Sequence, residues 1–309
     1  MLIRVSIGTL ARAGVVRIKL LAEPTTAYLL QYSEHGCVAD CAFCTQSSRS
    51  RSSRDLLARV LWPVHSLDEI AERLHRFDRV CVQSVLKPGF LRELVEIVKV
   101  VRESFQGPVS AAITPLCSRE LETLVDSGIE AIGVGLDAAS PRIFESVGKP
   151  FTWRTYIEFI EACARRLDGR VWVHIVAGLG ESAEEAVKAM KLVASLGAHV
   201  ALFNYVHIPG TLQFPGVDLY TYRVLQIARL LVEEGYDPTN FIEFRPRPRL
   251  SRKPPIDPFR ALLTSGCPGC NRPFYNESPR GPIYNYPSMR LLERDREVVE
   301  KQLSAIGAI

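Results

Sequence analysis

Three cysteines, Cys37, Cys41 and Cys44, fall within the stretch HGCVADCAFCTQS. Thiolates are soft ligands suited to zinc and to iron–sulfur clusters. A structural zinc site takes four protein ligands. Three thiolates on a four-iron cluster instead leave one iron open to a small molecule. Zinc completed by His35 or by a distant residue is the alternative. A second pair, Cys267 and Cys270, stands in TSGCPGCNRPFYNESPRGPIYNYP. Cys-Pro-Gly-Cys is a tight knuckle that puts two thiolates on one centre, either a second cluster or half of a zinc site. The other three are Cys81 in RVCVQ, Cys117 in ITPLCSRE and Cys163 in EACARRL. Cys81 is open to ligation or to plain burial. Cys163 reads as a small buried hydrophobe. With eight cysteines and no secretory pattern in MLIRVSIGTLARAG, a reducing, cytoplasmic setting is expected, where clustered thiols bind metal rather than pair.

These residues need a scaffold. The chain has 309 residues, 47% of them hydrophobic and 23% charged, enough for a large core in one globular domain. No apolar run reaches membrane-spanning length. The net charge of +4 is dispersed, so no nucleic-acid surface is expected. Apolar runs at 26–32, 80–86, 109–114, 130–136, 171–180, 199–208 and 241–244 read as buried strands. Between them, LRELVEIVKVVRES, SRELETLVDSG, AEEAVKAMKLVASLG and LYTYRVLQIARLLVEEG carry helical patterns. SLDEIAERLHRF opens on Ser66 with Glu69 placed for a capping box. Strand and helix alternating roughly every thirty residues predicts an α/β fold, a (βα)8 TIM-type barrel with its chemistry at the strand C-termini. Residues 1–25 are expected to be an N-terminal extension. Residues 26–309 form the barrel, and the cysteine-bearing segment at about 262–290 closes it. The Pro- and Arg-rich stretch 245–258 reads as a loop within the fold.

The Cys-x3-Cys-x2-Cys pattern after the first strand, with Phe43 before its last cysteine, resembles the radical S-adenosylmethionine (SAM) superfamily. Leu136–Ser140 at the end of the fourth strand is similar to the ribose-binding turn of biotin-synthase-like members. Ile175–Ser182 at the end of the fifth is similar to their adenine-contacting turn. VCVQSVLKPG lacks the Gly-Gly-Glu found in many members after the second strand, an omission shared with biotin synthase. Together with GCPGCNRPFYNE and GPIYNYP, these features most resemble the archaeal-type two-protein lipoyl synthases, over nearly the whole chain.

The resemblance implies a [4Fe–4S] cluster on Cys37, Cys41 and Cys44 that binds SAM. Phe43, Asp137, Val176, Gly178, Gly180 and Glu181 are the implied cofactor contacts. An auxiliary [4Fe–4S] cluster, the sulfur source, is assigned to Cys117, Cys267 and Cys270, with Cys81 as a further ligand. The implied reaction adds sulfur at C8 of a protein-bound octanoyl chain or at C6 of a mercapto-octanoyl chain. The implied partners are an octanoylated lipoyl carrier (glycine cleavage H protein or a dehydrogenase E2 domain), a paralogous synthase and a ferredoxin-like reductant. Phe274, Tyr275, Tyr284 and Tyr286 are expected to line an acyl channel or to cover a helix. Asn204 and His207 are looser candidates for contact. Arg49, Arg51 and Arg54 form a basic loop that docks an acidic carrier, accepts the SAM carboxylate or is simply solvated. Biotin synthase or another small-molecule radical enzyme is one competing reading, and a non-catalytic iron–sulfur protein is another.

Overall fold

The computed structural model describes residues 1–309. In chain order the strands are β1 (Leu2–Val5), β2 (Thr26–Gln31), a small hairpin β3 (Leu56–Leu57) and β4 (Val60–Leu61), then β5 (Val64–Ser66), β6 (Arg79–Gln83), β7 (Val109–Ile113), β8 (Ala131–Asp137), β9 (Val171–Ala177) and β10 (His199–Asn204). Eight of them form one sheet in the order β10-β9-β8-β7-β6-β2-β1-β5. The six from β2 to β10 run parallel to their neighbours. At the far edge β1 is antiparallel to both β2 and β5. The fold is therefore α/β and barrel-like, with six parallel strands and an antiparallel edge.

Two differences from the sequence reading have physical causes. The run FIEF supplies only Ile242–Glu243 (β11), which pairs with Arg249–Leu250 (β12) in a ribbon outside the sheet. The prolines of RPRPR cannot donate to a ladder, so this run has no place in a central sheet. Conversely, the first residues are part of the sheet: β1 is one of its strands, followed by a short helix α1 (Ile7–Arg12).

Helices cover the outer face: α2 (Leu67–Ala71), α3 (Phe90–Ser104), α4 (Ser118–Asp126), α5 (Pro141–Ser146), α6 (Trp153–Arg166), α7 (Ala183–Ser195) and α8 (Leu219–Glu233). In α3, Leu94, Ile97, Val98 and Val101 are buried at the spacing of one helical face. Ser182 and Glu185 form a reciprocal capping box on α7. The capping box expected at Ser66 does not form. Ser66 ends β5, its side chain caps nothing, and α2 gives way to a 3₁₀ turn at Leu74–Arg76. No helix is long and apolar enough to cross a membrane.

Strand alternation decides which residues meet the helices and which face inward. On β6, Val80 and Val82 are fully buried in the main core, while Cys81 and Gln83 line an internal cavity. β10 is the open edge of the parallel sheet, and the C-terminal segment seals it. The Leu202 N–H donates to Ser265 Oγ at 2.8 Å, and Asn276 Nδ2 donates to the Asn204 carbonyl at 2.9 Å. The same segment reaches β2, where the Thr25 N–H donates to Asn271 Oδ1 at 3.0 Å. It thus joins β10 to β2 and walls in the cavity. Arg223 of α8, fully buried, holds it from behind by donating to the carbonyls of Ile283 and Tyr284.

Candidate active site

The loop after β2 folds back on itself and gathers Cys37, Cys41 and Cys44. The Cys37 N–H donates to the Gln46 carbonyl at 2.7 Å, and the Cys44 N–H to the Cys41 carbonyl at 2.9 Å. Arg54 pins the loop by donating to the carbonyls of Thr45 (2.9 Å) and Ser47 (2.7 Å). The thiols are mutual neighbours. Burial pushes Cys44 up to about 12, with further upward pushes from Cys41 and Cys37. Burial also raises Cys41, against the pull of Lys149.

Two of the three, Cys37 and Cys44, open onto a chamber of about 220 Å³ whose walls also include Thr114, Asp137, Lys149 and His174. The Thr114 hydroxyl is buried there without a partner. Three soft thiolates beside a chamber with an unmet hydroxyl and an ion pair fit a cluster with one open iron and a polar ligand such as SAM. No three His, Cys, Asp or Glu side chains are arranged to hold a single metal ion.

Asp137, at the end of β8, has a left-handed backbone with φ of 64°. Its Oδ2 lies 2.6 Å from Lys149 Nζ, with both side chains largely buried. Phe43 and Val176 line the cavity further in. Gly178 and Gly180 line neither chamber and instead shape the turn after β9. A Cβ on Gly178 would sit 2.6 Å from the Gly216 carbonyl carbon, and its φ is 108°. The Glu181 carboxylate accepts the N–H groups of Gly178 and Leu179, so it braces this turn from within. Burial raises its pKa.

The second set of thiols is Cys81, Cys267 and Cys270. All three line a chamber of about 200 Å³ that shares Cys44, Gln83, Asp137 and His174 with the first. The two chambers therefore adjoin, and Cys44 of the triplet lines both. Burial pushes Cys81 up to about 12, and the Cys270 thiol adds to it. Burial likewise takes Cys267 to about 12, with Cys81 and Cys270 adding. Arg79 and Arg272 pull both the other way. Arg79 Nε donates to the Pro268 carbonyl at 3.1 Å and so ties the knuckle to β6. The Arg272 guanidinium lies 3.7 Å from the Phe203 ring centre.

Cys117 is not with them. It lies beyond the end of β7 as the N-cap of α4, exposed, and lines neither chamber. Cys81 reaches the group because it sits in mid-strand and points inward. Cys163 is buried on the core side of α6.

Of the four tail aromatics, Tyr275 alone lines the cavity, tilted against Tyr28 and edge-on to Trp62 with ring centres 5.3 and 5.9 Å away. Phe274, Tyr284 and Tyr286 pack against the main core. Asn204 is buried and bonded to the tail, and His207 is exposed. Arg49 pairs with Asp40 at 2.8 Å, and Arg54 is committed to the loop, which leaves Arg51 exposed beside Gly210. Sequence reasoning missed Tyr28, Lys149 and His174, which belong to no spaced motif, and Arg272, which stands two residues after Cys270 in GCPGCNRPFYNE. His174 was identifiable as an inward position of its strand. Burial depresses its pKa to about 4, so it faces the cavity as a neutral ring.

Residues 34–193 match the Radical SAM superfamily model. Biotin synthase of Thermus thermophilus is 26% identical over 192 residues, covering 59% of this chain and 56% of that protein. Biotin synthase of Desulfotalea psychrophila is 30% identical over 156 residues, covering 49% and 46%. The aligned part of the chain thus spans about half the length of these curated relatives. Among solved structures, methylornithine synthase (PylB) superposes with a TM-score of 0.53 at 12% identity, over 88% of this chain and 81% of that one. The [FeFe]-hydrogenase maturase HydG gives 0.53 at 13% identity, over 65% and 48%. Both share the fold.

Proposed function

This chain belongs to the radical SAM superfamily, and from that premise we propose that it inserts sulfur into an unactivated carbon of a protein-bound octanoyl or mercapto-octanoyl chain, as the archaeal-type two-protein lipoyl synthases do. The observation that carries this reading is the convergence of Cys81, Cys267 and Cys270 on a chamber that Cys44 of the triplet also lines. Superfamily membership implies a [4Fe–4S] cluster with SAM, and Cys37, Cys41 and Cys44 are the residues to hold it. Cys81, Cys267 and Cys270 would hold the auxiliary cluster. When bound, the first centre supplies a radical able to take hydrogen from carbon, and the second supplies sulfur.

The chain's own residues do the rest. Asp137 and Lys149 present a buried ion pair to the SAM chamber. Val176 and Phe43 give the cavity apolar walls that suit an alkyl chain. His174, neutral, and Gln83 place the few polar groups between the two thiol sets. Tyr275 and the tail exclude water from the sealed side. Arg51, exposed on the triplet loop, is the cation left to meet an acidic carrier. The partners follow from this reading: an octanoylated H protein or E2 domain, a paralogous synthase for the second sulfur, and a ferredoxin-like reductant.

The test is anaerobic. Protein reconstituted with iron and sulfide is mixed with dithionite, SAM and an octanoyl-lysyl carrier peptide. A mass gain of one sulfur on the peptide is expected, or on its mercapto-octanoyl form if the chain serves the second step. The similarity to biotin synthases favours one second reading, sulfur insertion into dethiobiotin. Sulfur transfer to dethiobiotin and to neither peptide would replace the carrier-bound substrate with a free one.

A further inference from the structure

Lys149 belongs to no motif, yet it occupies one of the most constrained positions beside the triplet. Its segment braces the cysteine loop. The Ala42 N–H donates to the Val147 carbonyl at 2.9 Å. Gly148, with φ of 69°, lies so close that a Cβ there would stand 2.7 Å from the Asp40 carbonyl oxygen. The turn after α5 and the cysteine loop are therefore locked face to face, and this places the lysine side chain.

The ammonium is buried, with 5% of its side chain exposed, and it sits 2.6 Å from Asp137 Oδ2. It also lies 5.3 Å from the Tyr156 ring centre, whose face favours a cation. Lys149 and Asp137 both line the chamber that Cys37 and Cys44 open onto. A buried cation that faces the same chamber as these thiols is weakly screened.

We propose that Lys149 is a positioning and charge-compensating residue of the triplet centre, holding the Asp137 carboxylate at the chamber wall and making the centre easier to reduce. This rests on the reading of Cys37, Cys41 and Cys44 as a cluster site. Reduction adds one negative charge to such a centre. A fixed cation nearby favours that state, and a fixed anion opposes it. Lys149 and Asp137 therefore act in opposite directions on the same potential.

The experiment is a redox titration of the full reconstituted protein, following the part of the reduced-cluster electron paramagnetic resonance signal that changes on adding SAM. Lys149→Met should shift that midpoint to more negative potential. Asp137→Asn should shift it to more positive potential, and Lys149→Arg should stay near wild type. Shifts of opposite sign are not what simple loosening of the loop would produce. If Lys149→Met fails to fold, the absence of a positive shift in Asp137→Asn overturns the proposal. An unchanged midpoint in Lys149→Met, with the SAM-responsive signal intact, overturns it directly. A wild-type protein with no SAM-responsive signal would instead overturn the triplet reading, and this inference with it.

Discussion

The phenol oxygen of Tyr28 lies 3.3 Å from the sulfur of Cys270. The same oxygen accepts the backbone N–H of Arg272 at 2.9 Å. One hydroxyl on β2 thus positions both the knuckle cysteine and the start of the turn that carries Arg272. Tyr28→Phe leaves that N–H without its partner, at a cost of about 1–3 kcal/mol. A lower thermal midpoint is expected, together with loss of the tail-held iron while the triplet iron stays. Calorimetry and iron analysis measure the two effects. Unchanged iron content would show that Tyr28 does not position the knuckle.

Cys81 and Cys117 separate cleanly in this fold, one inside the cavity and one exposed on α4. Cys81→Ala should lose roughly half of the bound iron and sulfide, the share of one of two four-iron centres. Cys117→Ala should keep all of it. The reverse pattern would return the ligand set to the one first read from the sequence.

The turn after β9 has no room for a side chain at Gly178. Gly178→Ala would place a Cβ only 2.6 Å from the Gly216 carbonyl carbon, on a backbone with φ of 108°. Strain of this kind costs about 1–3 kcal/mol. The expected result is a lower melting temperature and weaker SAM binding, read by equilibrium dialysis of reconstituted protein. Wild-type stability would mean that the Gly216 segment yields easily.

Glu277 gives the tail a pH dependence. It is buried, its Oε2 has no partner, and burial pushes its pKa up to about 7 despite Arg272, Arg223 and Arg59. A carboxyl whose folded pKa lies above its unfolded value adds stability that is complete below the unfolded pKa. That stability is lost as pH rises through about 7. The shift corresponds to roughly 3 kcal/mol at most. Glu277→Gln should therefore gain stability relative to wild type between pH 5 and pH 8, measured as the difference in denaturant midpoint. A constant difference across that range would remove Glu277 as its source.

The parallel strands were readable because their apolar runs are short, β-branched and set between amphipathic helices. The triplet was readable because its spacing is itself chemistry. What the sequence hid is mostly geometry. β1 is four residues long and antiparallel, so no alternation with helices announces it. FIEF looked like a strand because its composition is that of one, and the prolines that keep it out of the sheet lie just beyond. Cys117 follows a strand and Cys81 lies within one. The barrel rule favours loop positions, whereas the alternation of β6 turns Cys81 inward. Lys149 and Asp137 are separated by a helix, and only the packing of that helix reveals their ion pair.

The two thiol sets line adjoining chambers, and we propose that one makes the radical while the other gives sulfur. This division is tested by comparing wild type with a Cys267→Ala/Cys270→Ala variant, both reconstituted anaerobically. Each is given dithionite, SAM and the octanoyl and mercapto-octanoyl peptides. 5′-Deoxyadenosine is expected from both proteins, and sulfur on a peptide from wild type alone. Sulfur transfer by the variant would contradict this division.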